Sequence, residues 1–330
     1  MNMKKITMAH GSGGKATNDL IKNLIVENFS GSILGNLGDS AYINLCGDLA
    51  FSSDSFVVQP EFFPGGDIGE LSVYGTCNDL AVSGAVPMYL SFSLILPNGY
   101  IMDDLEKIVK SAAKAADEVG IEVVCGDTKV INSHSSNTPI INTAGIGVMG
   151  ASLNDYSKIK PGDKVILTSD IARHGMAIFS ARKELELENS IQSDCGNLYS
   201  IFEKTGYDGI KFSRDATRGG VAAVLHEISD KISAGFYLYE NMIPIQEDVV
   251  YLCEFLGFDP LVVANEGVAV IISEAKKAQK ILNKIRQTKM GRNASIVGEV
   301  YETNNVVMET KIGGVRTVEM PSGDLLPRIC

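Results

Sequence analysis

The chain predicts an α/β or α+β fold in two domains. Three observations carry that reading. Its 330 residues exceed what one hydrophobic core usually holds. Short apolar runs alternate with helix-period segments in both halves, so sheets and helices are interleaved throughout. A turn signal, Pro161-Gly162-Asp163, separates the halves ahead of a fresh apolar run. The expected division is 1–152, 153–318 and a tail over 319–330.

The elements follow in order. Lys15–Phe29 has apolar residues at helical spacing behind a Gly-rich loop. Tyr42–Leu45 and Leu49–Ser53 read as strands flanking the turn Cys46-Gly47-Asp48. Asp67–Ala85 holds apolar and small residues suited to a tightly packed helix, and Tyr89–Leu96 is strand-like. Asp103–Val119 places Leu105, Ile108, Val109, Ala112, Ala116 and Val119 on one face. Asp103 and Asp104 complement the dipole at its start, and Gly120 stops it. Ile121–Cys125 is a strand, a loop follows, and Ile140–Met149 is another strand.

In the second half Val165–Ser169 is a strand, Gly175–Leu185 and Leu198–Thr205 are helices, and Ile210 to Arg218 is a polar, chemistry-bearing stretch. Gly219–Ile232 is a helix. Pro260–Val263 and Gly267–Ser273 read as strands around Asn265-Glu266. Glu274–Gln287 is a helix, and Ala294–Val300 and Asn305–Glu309 are strands.

Composition narrows the function. Hydrophobic residues make up 45% and charged residues 21%, a globular balance. A net charge of −11 argues against a general nucleic-acid or anionic-membrane binder. No apolar run approaches the length of a membrane span, and the first residues lack a secretory pattern, so a cytoplasmic location is expected. The six cysteines make no CxxC spacing. Five of them read as small buried hydrophobes. Cys330 differs because it is the last residue, behind Pro321-Ser322-Gly323-Asp324-Leu325-Leu326-Pro327-Arg328-Ile329, a run that discourages helix and strand. A thiol there suits a group that is loaded in one place and used in another.

Four loops set an Asp beside small residues: Gly38-Asp39-Ser40-Ala41, Gly75-Thr76-Cys77-Asn78-Asp79-Leu80, Cys125-Gly126-Asp127-Thr128-Lys129, and Ser213-Arg214-Asp215-Ala216-Thr217-Arg218-Gly219-Gly220. Glycines let a backbone approach phosphate, and carboxylates can hold Mg²⁺ with phosphate and water completing its shell. Arg and Lys nearby neutralise a transferring phosphoryl group. Each loop alone is an ordinary Gly-Asp turn far more often than a site. No Walker A spacing occurs; His10-Gly11-Ser12-Gly13-Gly14-Lys15 has the residues but not the pattern. Phe62-Phe63-Pro64-Gly65-Gly66-Asp67 precedes a helix whose N-terminus could meet phosphate. Glu266 interrupts an apolar run from Leu261 to Ile272, where a carboxylate is either a turn residue or a base of raised pKa. The four histidines show no ligand spacing.

Taken together these segments resemble the HypE family of hydrogenase maturation proteins, within the ATP-binding superfamily of aminoimidazole ribonucleotide synthetase and selenophosphate synthetase. The likeness runs from His10-Gly11-Ser12-Gly13-Gly14 through Ser53-Asp54-Ser55, Phe62-Phe63-Pro64-Gly65-Gly66, Asn78-Asp79, Gly126-Asp127-Thr128-Lys129, Arg214–Gly220 and Asn265-Glu266-Gly267 to Pro327-Arg328-Ile329-Cys330. The resemblance implies a two-domain aminoimidazole ribonucleotide synthetase-like fold with a flexible C-terminal tail, dimerising through the ATP-binding first domain. It implies that a carbamoyltransferase, HypF, loads Cys330, that ATP drives dehydration of the thiocarbamate to a thiocyanate, and that the cyano group passes to iron on a HypC–HypD complex. By the same resemblance Asp39, Asp79, Asp127 and Asp215 are metal contacts for Mg²⁺. Asp54, Gly65, Gly66, Asn78, Asp79, Thr128, Arg214 and Arg218 face ATP. Glu266 is the proton acceptor, Lys129 its runner-up and phosphate neighbour, and Cys330 the covalent carrier. One departure is Arg173, where the family commonly has an acidic residue before the histidine, so no role is expected for His174. Two rival readings stand beside this one: a superfamily ligase or kinase acting on a free small molecule, and a non-catalytic scaffold.

Overall fold

The computed structural model describes residues 4–29, 31, 33–38, 40–132, 136–182 and 190–321. Asp39, His134 and Cys330, with the rest of 322–330, lie outside the described residues.

Helix α1 (Lys15–Leu20) continues into a π-helical turn over Ile21–Val26. Strand β1 (Leu49–Phe56) follows, then the short ribbon of β2 (Phe62–Phe63) and β3 (Gly66–Asp67). Helix α2 (Ile68–Val82), strand β4 (Ala85–Pro97), helix α3 (Met102–Val119), and strands β5 (Glu122–Cys125), β6 (Thr128–Ile131) and β7 (Ile140–Met149) complete the first unit. Its sheet runs β1-β7-β4-β5, with β6 pairing the far end of the long β4. β4 is parallel to β5 and β6 and antiparallel to β7.

Helix α3 shows why its boundaries were readable. Every residue of the expected stripe is buried, and Gly120 ends the helix at φ 79°, a left-handed cap. Helix α2 is different. It has no stripe, because Leu71, Ser72, Val73, Tyr74, Cys77, Asn78, Leu80 and Ala81 bury it on all sides. It is wedged between the first sheet and the second unit. Thr76 Oγ1 meets Thr143 Oγ1 of β7 at 2.6 Å, while Ser213 Oγ donates to the carbonyl of Val82 from the second unit.

The second unit contains β8 (Lys164–Leu167), α4 (Arg173–Ala181), α5 (Tyr199–Thr205), β9 (Ile210–Asp215), α6 (Gly220–Ser229), β10 (Gly235–Tyr239), α7 (Glu247–Leu256), β11 (Ala269–Ser273), α8 (Ala275–Ile285), β12 (Ser295–Tyr301), β13 (Val306–Glu309) and β14 (Val315–Thr317). Its sheet order is β14-β13-β10-β12-β8-β11-β9, antiparallel except for β10 beside β13. β11 is buried along its whole length, as its unbroken apolar run requires. Both sheets are mixed with helices, so the α/β (α+β) expectation holds. No helix among the described residues is long and apolar enough to cross a membrane.

Two expected strands are absent. Tyr42–Leu45 is irregular and Tyr42 is 90% exposed: an alternating sequence forms no strand where no neighbour supplies a ladder. In place of the strand Pro260–Val263 there is a 3-10 turn over Pro260–Val262, because Asp259 accepts from the Leu261 amide and Pro260 starts a helical turn readily. The expected helix Gly175–Leu185 ends at Ala181, its positions 183–185 lying outside the described residues.

Candidate active site

Several of the expected residues converge at the seam between the two units. Asp54 lies on β1, Asp79 near the end of α2, Arg214 and Asp215 at the end of β9, and Glu266 in the turn before β11. β9 and β11 are neighbours, pairing Asp215 with Ala269, so the sheet itself sets Asp215 beside the Glu266 turn. Asp79 accepts a 2.6 Å hydrogen bond from Ser52 Oγ of β1.

The electrostatics are those of carboxylates crowded together out of water. Burial raises the pKa of Asp79, and Asp54 raises it further, against Ser52 and Arg214. Asp215 is pushed up to about 7 by desolvation and then by Asp79, with Arg214 opposing. Glu266 is held well above the usual carboxylate range, by burial first, then by Asp194, Asp215, Asp54 and Asp79. It is 5% exposed, and its Oε1 has no hydrogen-bond partner. A buried carboxylate without a protein donor, crowded by other carboxylates at a polar seam, is a candidate for proton transfer.

Arg214 supplies the cationic edge. Its guanidinium pairs with Glu227 of α6 at 2.5 Å. Arg218 is exposed on the same loop, at the approach to α6.

A second group sits elsewhere in the first unit. Gly126, Asp127 and Thr128 join β5 to β6 and rim a cavity of about 250 Å³. Its apolar walls include Ile21, Ile25, Leu34, Phe92 and Leu94, and Gly38 and Ser40 close another side. Asp127 is exposed; its N–H donates to Ser93 Oγ, and its carboxylate accepts from the Thr128 N–H at 2.8 Å. Lys129 is exposed on β6 opposite Ile95.

The Gly65-Gly66 loop lies ahead of α2 and against the second unit. The α2 N-terminus is already capped: Asp67 accepts from the N–H groups of Gly69 and Glu70 and from Ser111 Oγ. Gly65 sits at φ +92°, where a Cβ would lie 2.6 Å from the Ser193 backbone nitrogen. Its glycine is needed so that the loop can lie against the second unit, where Ser193 N–H donates to the Pro64 carbonyl.

Two groups here, the buried Asp194 and the half-buried Glu70, went unsignalled in the sequence. Asp194 accepts from the N–H groups of His174, Glu266 and Gly267. Glu70 is raised to about 7 by burial, then by Asp67. Asn265 accepts from the N–H of Ala172, a non-glycine residue held at φ 69°. Ser193-Asp194-Cys195-Gly196 is polar without periodicity, and a buried aspartate in such a run looks like any surface loop. Arg173 binds the carbonyls of Gln192 and Ser193, and His174 Nδ1 lies 2.8 Å from Ser193 Oγ, both structural contacts.

Two interlocked α/β units with an acid-lined seam and a polar-rimmed cavity define a class, and the sequence comparisons agree with it. Residues 38–149 match the model of AIR synthase related protein, N-terminal domain, and residues 160–311 match its C-terminal domain. The carbamoyl dehydratase HypE of Cupriavidus necator is 42% identical over 339 residues, covering 100% of this chain and 97% of that protein. The structure of the hydrogenase maturation protein HypE in complex with ATP superposes with a TM-score of 0.94 at 40% identity, over 98% of this chain and 99% of that one. HypE in a HypE–HypF complex gives 0.81 at 42% identity, over 92% and 99%. The chain belongs to the HypE family of carbamoyl dehydratases.

Proposed function

We propose that this chain dehydrates a carbamoyl group carried on Cys330, using ATP, and so makes the cyano group needed in hydrogenase maturation. The observation that carries the reading is Glu266: a buried carboxylate of raised pKa with an orphaned oxygen, at the seam where acidic and cationic groups meet.

An amide oxygen is a poor leaving group. Transfer of the ATP γ-phosphoryl to the thiocarbamate oxygen gives an O-phosphorylated imidate and ADP, with loss of one N–H proton. Loss of the second N–H proton then expels phosphate and leaves the thiocyanate on sulfur. Glu266 takes one of these protons and the departing phosphate carries the other; burial, which raises the Glu266 pKa, makes it a stronger base than an ordinary carboxylate. Arg214 and Arg218 offset the charge of the transferring group, and Lys129 follows Thr128, which lines the cavity that we assign to the nucleotide. Apolar walls for a base and a Gly126-Asp127-Thr128 rim fit that use.

Mg²⁺ fits the donor set. Among the described residues no three acidic, His or Cys side chains form a ready metal cage. Mg²⁺ asks for one or two carboxylates and completes its shell with phosphate and water. Asp79 and Asp215 would supply them; the family resemblance adds Asp54, Asp127 and Asp39, the last outside the described residues. When bound, the ion neutralises the triphosphate.

Three partners follow. The face of the first sheet bearing Leu49 and Phe51, which are 50% and 70% exposed on edge strand β1, would be covered by a second copy of this chain. A carbamoyltransferase of the HypF kind would load the thiol, and an iron-carrying HypC–HypD complex would accept the cyano group.

The test is Cys330→Ala. It should take no carbamoyl group and make no thiocyanate, yet bind ATP normally; thiocyanate or cyanide formed by this variant would sink the proposal. If the substrate is instead a free small molecule, a chain lacking 327–330 keeps its ATP turnover.

A further inference from the structure

The seam holds not only the Glu266 carboxylate but both ends of its peptide unit. Its N–H donates to Asp194 Oδ2 at 3.0 Å, and its C=O accepts from Asn78 Nδ2 at 3.0 Å. Asp194 is itself spread over three donors, the N–H groups of His174, Glu266 and Gly267, at 2.8, 3.0 and 2.8 Å. Asn78 is 1% exposed, and its amide is fully engaged with the second unit: Nδ2 also reaches the Gly196 carbonyl, and Oδ1 accepts from the Leu198 N–H at 2.9 Å. Gly267 admits no side chain, since a Cβ would meet the Asp194 carbonyl oxygen at 1.9 Å.

Asn78 is the residue before Asp79. One step of α2 therefore sends a carboxylate toward Ser52 and Arg214 and a carboxamide to the backbone of Glu266. The first unit supplies one half of the grip, and the second unit, through Asp194, supplies the other. A base whose backbone is gripped on both sides keeps its Cα in place when neighbouring carboxylates change charge.

We propose that Asn78 and Asp194 are positioning residues, a clamp closed across the two units that fixes Glu266 where it takes a proton from the carbamoyl nitrogen. The inference rests on the assignment of Glu266 as proton acceptor. In place of the ATP contact that the family resemblance implies for Asn78, whose amide is spent on the backbone of Gly196, Leu198 and Glu266, it gives Asn78 a task that acts through Glu266.

The clamp separates from a nucleotide contact by what each variant changes. Asn78→Ala and Asp194→Asn are compared with wild type in the full chain, carbamoylated on Cys330, for ATP affinity by calorimetry and for single-turnover dehydration. Both should keep the ATP dissociation constant within about 3-fold and slow dehydration by roughly 10- to 100-fold, the scale of a misplaced catalytic group. In the Glu266→Gln background each should cost less than about 3-fold more, because a clamp has nothing left to position. If Asn78→Ala does not fold, Asp194→Asn, which keeps shape and yields one acceptor, carries the same comparison. A fall in ATP affinity that matches the lost rate overturns the clamp, and so do losses that multiply in the Glu266→Gln background. Near-normal dehydration by Glu266→Gln alone overturns the base assignment, which is a separate failure.

Discussion

Glu266→Gln makes activity and stability move in opposite directions. The substitution keeps the volume and the backbone grip and removes the charge and the basicity. A positioned general base contributes about 10²–10⁴-fold, or roughly 2.7–5.5 kcal/mol of barrier. The stability term comes from the surroundings. Glu266 Oε1 has no donor, and Asp194, Asp215, Asp54 and Asp79 all disfavour its ionised form. A glutamine NH₂ placed among acceptors reverses that mismatch, and relief of one unpaired buried group is worth about 1–3 kcal/mol. The melting temperature should therefore rise by roughly 2–8 °C at slightly alkaline pH, while single-turnover dehydration falls by at least about 10²-fold. Thermal melts and intact-mass kinetics on one preparation read both. Dehydration within a few-fold of wild type, or a lowered melting temperature beside lost activity, would refute the reasoning.

Three further outcomes follow. Asp67→Ala should lose about 1–2 kcal/mol in urea denaturation, whereas Asp67→Asn, also a good cap, should lose far less; equal losses, or a changed ATP affinity in either, would contradict the capping role. Glu70 titrates near 7 when folded against 4.5 for the free side chain, so the native state holds the extra proton and stability declines as pH rises between those values. Glu70→Gln should thus gain on wild type by about 1–2 kcal/mol on going to pH 8, after allowance for solvent screening, and a pH-independent difference would refute it. Phe51→Asp should weaken self-association by at least roughly 10-fold in light scattering, since a buried aromatic is worth about 1.5–3 kcal/mol; an unchanged dimer would free that sheet face for another role.

How much of this was legible in the sequence depends on where each partner lies along the chain. Helix α3 and strand β7 were readable because their packing signals are local, a stripe and a cap in one case and an alternating run in the other. Strands β6, β10 and β14 and helix α7 escaped notice, and β9 was read only as a polar, chemistry-bearing stretch. The three strands are only three to five residues long, and α7 leaves Tyr251 and Phe255 60% and 73% exposed, which blurs its stripe. The acidic site was partly visible, since Asp79, Asp215 and Glu266 stand beside glycines or in an apolar run. The grip on Glu266 was not. Asn78 reaches it across 188 positions and Asp194 across 72, and both bind backbone, which carries no residue-specific signal. The Asp67 cap is a shorter-range feature, but a Gly-Gly-Asp loop before a helix reads equally well as a cap or as a phosphate cradle until the bonds are seen.

The central claim is that the terminal thiol carries the substrate and that ATP removes water from it. The most direct test is the mass of the C-terminal peptide after incubation with carbamoyl phosphate, ATP·Mg²⁺ and a carbamoyltransferase partner. A carbamoyl adduct on Cys330 that then loses the mass of one water, only when ATP is present, is the predicted result. ATP consumption with no adduct on that peptide would contradict it and point to a free small-molecule substrate.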